Sequence, residues 1–346
     1  MIRALHFHDA AGTGARLVAE ARDRGMGWDL LQQPAPALSA HAASPAEDPS
    51  SPGAVRGIAA LRPAVLRQVE LVSRPLRARV MGERLRRAAA PYDVLHVHGG
   101  HKAANARWAR RPLAVHLHGS DIRLMQYAPS TADSVRRGVE AADLVVYATP
   151  DLPEHAQNIR HDVHYLPVPI SSADLPAPPP DAEREGVLFV SRWEESKGGA
   201  AMLEIARILR EKAPDIPLRG IDWGDGAAAA ARLGVELIPR QEHAAFLRTV
   251  AGARVAIAQA NAMIGTSELE ALGLSLPLIG SFREDYYPGL RRLSATDPAA
   301  QAEAAIAAHR DAEGALREQG GAGYVAREHE TGRVLERLVE LYRTIV

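Results

Sequence analysis

Cysteine is absent from the 346 residues, which excludes disulfides and thiolate metal sites and fits a reducing compartment. No apolar run approaches the roughly 20 residues that a membrane-spanning helix needs. The opening residues, MIRALHFH, are too broken by polar groups to read as a secretion signal. An excess of one charge is missing as well: 41 basic residues face 42 acidic ones, a formal charge of −1, so no whole-molecule field favours nucleic acid. The expectation is a cytoplasmic protein, with the inner face of a membrane as the one lipid surface it could rest on. Its length suffices for two domains and its 47% hydrophobic content for a large core.

Short apolar runs alternate with longer amphipathic stretches along the chain, the pattern of parallel sheets wrapped by helices. Strands are expected at 2–7, 28–31, 94–97, 113–117, 144–147 and 164–166, and again at 187–190, 218–221, 235–238, 255–258 and 277–279. Residues 33–56, rich in Pro, Ala and Ser, read as a long loop. Between the two strand series run Pro167-Val168-Pro169 and Leu175-Pro176-Ala177-Pro178-Pro179-Pro180, semi-rigid and extended in composition, as interdomain linkers are. The division expected from this is a first domain over 1–168, a linker over 169–185, a second domain over 186–325 and a closing segment over 326–346. In that last segment Val334, Leu335, Leu338, Leu341 and Tyr342 fall at helical spacing. Two sequential sheets imply a cleft faced by strand carboxyl ends, where open α/β sheets hold their ligands.

The apolar run Val187-Leu188-Phe189-Val190 ends at Arg192, and Lys197-Gly198 follows just before a strong helical stretch. Two cations at the mouth of a strand–loop–helix unit, beside the positive end of a helix, suit a diphosphate. A solvated, charged loop is the plainer reading. Gly265 follows a strand and opens another helix, where the free amides of Thr266 and Ser267 suit a phosphate oxygen. Glu270, one turn in, suits the two hydroxyls of a ribose, although Ser267-x-x-Glu270 also matches a capping box.

Taken in order, Arg192 and Lys197, Gly224-Asp225-Gly226, Gly265 and Glu270-Ala271-Leu272-Gly273 resemble the nucleotide-binding half of GT-B-fold glycosyltransferases, most like glycosyltransferase family 4. Gly12-Thr13-Gly14 resembles that family's first glycine loop, and Asp93-Val94-Leu95-His96-Val97-His98 and His116-Leu117-His118-Gly119 its acceptor-domain strands. The resemblance implies an α/β fold of two Rossmann-like domains and a metal-independent, retaining transfer from a nucleoside-diphosphate sugar. A UDP-sugar is expected first and a GDP-sugar second, with no cofactor and a small or lipid-linked acceptor. It also implies roles: Arg192 and Lys197 on the diphosphate, Glu270 on the ribose, residues 235–240 with Arg240 along the base, His118 near the donor sugar, and the Gly12 loop closing over the reaction centre. One position departs from the pattern. Where the family has a first glutamate, eight residues before the second, this chain has Ala262. Asn261 is the neutral substitute at hand.

His96/His98 and His116/His118 are i, i+2 pairs, so each shares a strand face. Metal ligation is one reading, and a strand-end histidine that is hydrogen-bonded or faces a ligand is the other; the second is preferred. Asp121 suits either orientation of a histidine and proton transfer or the capping of the next helix. An Arg-rich block over 56–87 reads as attraction to a membrane or anionic acceptor, or as a solvated helix face. Three other functions compete: a sugar-nucleotide epimerase of the same fold with His118 and Asp121 as its acid and base, a silent nucleotide-binding homologue in view of Ala262, and a nicotinamide enzyme. The last is disfavoured because Gly12-Thr13-Gly14 lacks the third glycine of a dinucleotide loop.

Overall fold

The computed structural model describes residues 1–32 and 74–346. They form two compact units, one made of the described residues up to Pro169 together with Thr331–Val346, the other of Ile170–Glu330.

The first unit is a wholly parallel sheet of β1 (Ala4–Phe7), β2 (Asp29–Leu31), β3 (Val94–His98), β4 (Leu113–Leu117), β5 (Leu144–Tyr147) and β6 (Val163–Tyr165), in the order β2-β1-β3-β4-β5-β6. β1, β3 and β4 are buried at every position, as a parallel sheet covered on both faces requires. One face packs Leu5, Phe7, Leu95, Val97, Val115 and Leu117 beneath α2 (Arg74–Ala89), α3 (Gly100–Ala106) and α4 (Ala132–Glu140), among others. The other lies beneath α1 (Thr13–Asp23), whose Leu17, Val18 and Ala21 face Ala4, Val94 and Ala114.

The second unit sets β7 (Glu185–Phe189), β8 (Leu218–Ile221), β9 (Glu236–Ile238), β10 (Ala253–Ile257) and β11 (Leu278–Ile279) in parallel, in the order β11-β10-β7-β8-β9. The helices that follow the strands are α5 (Gly199–Lys212), α6 (Ala227–Arg232), α7 (His243–Ala251) and α8 (Thr266–Gly273), and α9 (Pro298–Arg310) comes later. Met202, Ile205 and Leu209 of α5 and Ala302, Ala305 and Ile306 of α9 close on Val187, Phe189, Val255 and Ile257.

The chain then supplies α10 (Thr331–Tyr342) to the first unit. Its Val334, Leu335, Leu338 and Tyr342 sink into the core beside α1. Each such burial contributes about 1.5–3 kcal/mol. In both sheets the first strand has neighbours from both winding directions: β1 lies between β2 and β3, and β7 between β8 and β10. Such a reversal splays the loops at the strand carboxyl ends and opens a crevice there.

Among the described residues no helix is long and apolar enough to cross a membrane. The loop expected over 33–56 lies outside the described residues, as does the Arg-rich block up to residue 73. Within α2, Glu83 pairs with Arg86 and Arg87 at 2.7 and 2.8 Å, exposed ion pairs that contribute little each.

Candidate functional site

In the second unit the loops after β7 and β10 are stitched together across the reversal point. Ala260 N donates to Lys197 O at 2.9 Å, and Lys197 Nζ donates to Gln259 Oε1 at 2.7 Å. Gly198 makes the approach feasible: it sits at φ +74°, and a Cβ there would lie 2.3 Å from Ala260 O. Gly198→Ala therefore combines a left-handed backbone with a backbone clash and is expected to destabilise the second unit by about 3 kcal/mol. Urea unfolding checks this, and a midpoint equal to the parent's would remove the contact from the account.

The loops after β7 and β8 are held by Trp193, which is fully buried. Its Nε1 donates to Ile221 O at 3.1 Å, its amide donates to Trp223 O at 2.9 Å, and its carbonyl accepts from Gly226 N at 2.8 Å. Anchoring Trp193 places Arg192 beside the half-buried Trp223, 4.9 Å from guanidinium to ring centroid. Arg240, beyond β9, stacks on the same ring at 4.2 Å. Three neighbouring strand ends thus present two guanidiniums on one indole, a cation–π pairing that holds both side chains extended. Arg192 also pairs with Glu194 at 3.1 Å.

At the start of α8 the carboxylate that closes the helix is Glu268. It accepts from Gly265 N at 3.0 Å and from Gln259 N at 3.1 Å. The capping box drawn from Ser267 and Glu270 is thereby corrected: the cap is Gly265 and its partner sits three residues on. Glu270 points elsewhere and accepts from His243 Nε2, at the start of α7, at 2.9 Å. Two residues along a helix are about 200° apart, which is why adjacent glutamates serve different elements. The amides of Thr266 and Ser267 make no hydrogen bond among the described residues. Asn261 shapes its own loop, its Oδ1 accepting from Met263 N at 3.2 Å and its Nδ2 donating to Ser196 O at 3.4 Å.

In the first unit the registers set His6 beside His96 and His98 beside His116. All four are 0% exposed, and His118, just past β4, is only partly covered. The rings bond to one another in a single file. His118 Nε2 meets His98 Nδ1 at 2.9 Å, and His98 Nε2 meets His6 Nδ1 at 3.0 Å. His6 Nε2 and His96 Nδ1 then share the hydroxyl of Tyr342, from α10, at 3.3 and 2.6 Å, and His96 Nε2 meets His116 Nδ1 at 3.3 Å. Burial pushes every one of these histidines down, His6 to about 3 and His118 to about 4, so the file is neutral. Two groups, His6/His96/His98 and His98/His116/His118, each bring three ring nitrogens within 4.8 Å, and the hydrogen bonds of the file engage those rings with one another or with Tyr342.

The glycine loop packs on this file. Gly14 N donates to Asp9 Oδ1 at 2.8 Å, and a Cβ on Gly14 would lie 2.9 Å from His98 Nε2. His8, Ala11 and Gly12 all have positive φ, a concentration of backbone strain that marks functional loops. Asp121 is a clamp: Oδ1 accepts from the amides of His118, Gly119 and Ile122 and Oδ2 from that of Gly100, at 2.9–3.2 Å. The carboxylate thus ties the turn after β4 to the start of α3.

No protein-family model and no curated protein matches the sequence. Solved structures do match, at low identity. Anabaena HepE, in complex with UDP and glucose, is 12% identical with a TM-score of 0.72 over 99% of this chain and 100% of its own. The UDP-forming trehalose-phosphate synthase of Burkholderia xenovorans is 15% identical with a TM-score of 0.68 over 100% and 99%. A candidate UDP-N-acetylglucosamine 2-epimerase from Listeria monocytogenes is 13% identical with a TM-score of 0.60 over 98% and 95%. The chain has the GT-B fold.

Within this GT-B chain, the structure joins the sequence-flagged Arg192 and Arg240 on one ring, and it links Lys197 to the β10 loop that leads to Gly265. His118 joins the histidine file against which Gly14 lies, while Asp121 bonds backbone only. Sequence reasoning missed Trp223, Gln259, His243, His6 and Tyr342. The signal for Trp223 was its place directly before Gly224-Asp225-Gly226; for the others only the topology reveals the partner.

Proposed function

We propose that the protein is a glycosyltransferase that moves a sugar from a nucleoside diphosphate, UDP ahead of GDP, to a hydroxyl of a small or lipid-linked acceptor. The observation that carries the reading is the pair of cations, Arg192 and Lys197, on the loop after β7, with Lys197 bound to Gln259 beyond β10, ahead of the Thr266 and Ser267 amides of α8, which make no hydrogen bond among the described residues. Departure of the diphosphate builds negative charge. Arg192, Lys197 and the α8 amides stabilise that charge where it develops, which lowers the barrier without a protein nucleophile. Glu270, held by His243, takes the ribose hydroxyls, and Arg240 with Trp223 offers a flat surface along the base. The UDP carried by the HepE complex supports that nucleotide. As the resemblance implies, attack comes from the face that the leaving group vacates, configuration is retained and no divalent ion is called on. The Arg-rich block supplies the attraction for an anionic acceptor or membrane surface.

A thermal-shift screen against uridine, guanosine and adenosine diphosphates tests the donor class. UDP at about one hundred times its Kd is expected to stabilise the second unit by about 2.7 kcal/mol, a rise of several degrees. The likeness to an epimerase gives the second reading its footing, and product analysis separates the two. Transfer releases UDP in step with added acceptor, whereas an epimer formed from the sugar nucleotide alone would replace the proposal with epimerisation. Binding without any turnover would leave a silent homologue.

A further inference from the structure

A neutral imidazole has one N–H and one lone pair, on different nitrogens. In a file of such rings joined nitrogen to nitrogen, fixing the proton on one fixes it on all. The file His118–His98–His6–Tyr342–His96–His116 therefore has two arrangements that use every hydrogen between its members; a third, in which the Tyr342 hydroxyl accepts from both His6 and His96, strands the buried hydroxyl hydrogen and is disfavoured for that reason. In the first, protons run inward: His118 Nε2–H donates to His98, and the last ring, His116, carries its hydrogen on Nε2. In the second they run outward: His116 Nδ1–H donates to His96, the Tyr342 hydroxyl donates to His6, and His98 Nδ1–H donates to His118 Nε2.

The two ends differ. His116 is 0% exposed and its Nε2 has no hydrogen-bond partner among the described residues. His118 stands just past the carboxyl end of β4 and is only partly covered, and its Nδ1 finds no partner among the described residues. A buried N–H with nothing to donate to is the costlier orphan and is rarer in folded proteins than an unused acceptor. At the outer end, water or a ligand satisfies either form. The buried end therefore selects the outward arrangement.

From this we infer that His118 is held as a neutral Nδ1–H donor at the carboxyl end of β4, with the Tyr342 hydroxyl continuing the same sense of donation between His96 and His6. A ring set this way donates to an oxygen lone pair, that of a phosphate or a sugar hydroxyl, and cannot take a proton at that nitrogen. His118 is thereby a hydrogen-bond donor to the leaving or transferred group and not a base for the acceptor. Which oxygen it meets rests on the glycosyl-transfer reading; the tautomer does not.

Long-range proton–nitrogen correlation spectra of the 15N-labelled full chain at pH 7.5 test it without any substrate. The expected pattern is a protonated Nδ1 and a bare Nε2 on His118, and the same form on His98, His6, His96 and His116. A hydrogen on Nε2 of His118 would overturn the inference. Tyr342→Phe makes His6, 0% exposed, the buried end of the remaining file, so the same rule leaves its Nε2 bare and His118 is expected to stay Nδ1–H. A move of His118 to the Nε2–H form in that variant would overturn the inference, because the buried end would then not decide the tautomer. Should that variant fail to fold, the parent spectrum alone decides the tautomer. Addition of UDP plays no part in these spectra, so a failed donor assignment leaves the result standing, and the reverse holds too.

Discussion

Lowering the pH from 7 to 5 is expected to unfold the first unit ahead of the second. His6, His96, His98 and His116 are wholly buried and held neutral, each pushed well below the usual imidazole range by loss of water. In the unfolded chain the same rings take protons near pH 6.5. Below that value the unfolded state binds more protons than the folded one, so stability falls as pH falls toward the folded values. Each group contributes a slope of about 1.4 kcal/mol per pH unit, and four together about 5 kcal/mol per unit. A domain with a total stability of about 5–15 kcal/mol loses most of it within two or three units. His118, at about 4 and partly covered, adds to the slope. In the second unit burial also lowers His309, but that residue is only half-buried. Calorimetry at pH 7 and pH 5 should show the transition split, with near-ultraviolet signals of Trp28 and Tyr342 lost in the earlier step. A melting profile unchanged over that range would mean that the histidines are not held neutral.

Replacing either cation of the β7 loop is expected to weaken UDP binding about 10- to 100-fold, since a hydrogen bond to a charged group is worth about 1.5–3 kcal/mol. The two substitutions should differ in their effect on the free protein. The Arg192 side chain is 38% exposed and pairs with Glu194, so Arg192→Ala should leave the apo melting temperature nearly unchanged. Lys197 also bonds Gln259, so Lys197→Ala should cost about 1 kcal/mol of stability as well. If either variant binds UDP like the parent, that residue does not touch the diphosphate.

Much of the fold is legible in the chain because a parallel sheet covered on both faces writes its strands as short, mostly apolar runs. Residues 113–117, 144–147 and 218–221 are strands over the lengths that the alternation implies. Short connecting helices are harder: α4 buries only Val135, Gly138 and Val139 among charged neighbours, so its apolar stripe is too thin to read. The site was legible where its chemistry is local. Arg192 and Lys197 lie five residues apart on one loop, and Gly265 opens a helix. It was illegible where the partner is remote. Lys197 and Gln259 are 62 positions apart, and His6 and Tyr342 are 336 apart, so no spacing rule connects them. Glu268 and Glu270 show a third limit: the carboxylate that caps is decided by the direction of one turn of helix, and the sequence offers both.

A calorimetric titration of UDP into the protein, repeated with Arg192→Ala, tests diphosphate binding by the β7 loop most directly. One site per chain is expected for the parent and a dissociation constant at least about tenfold higher for the variant. Absence of binding by UDP, GDP and ADP alike, or equal affinity in parent and variant, would contradict diphosphate binding there.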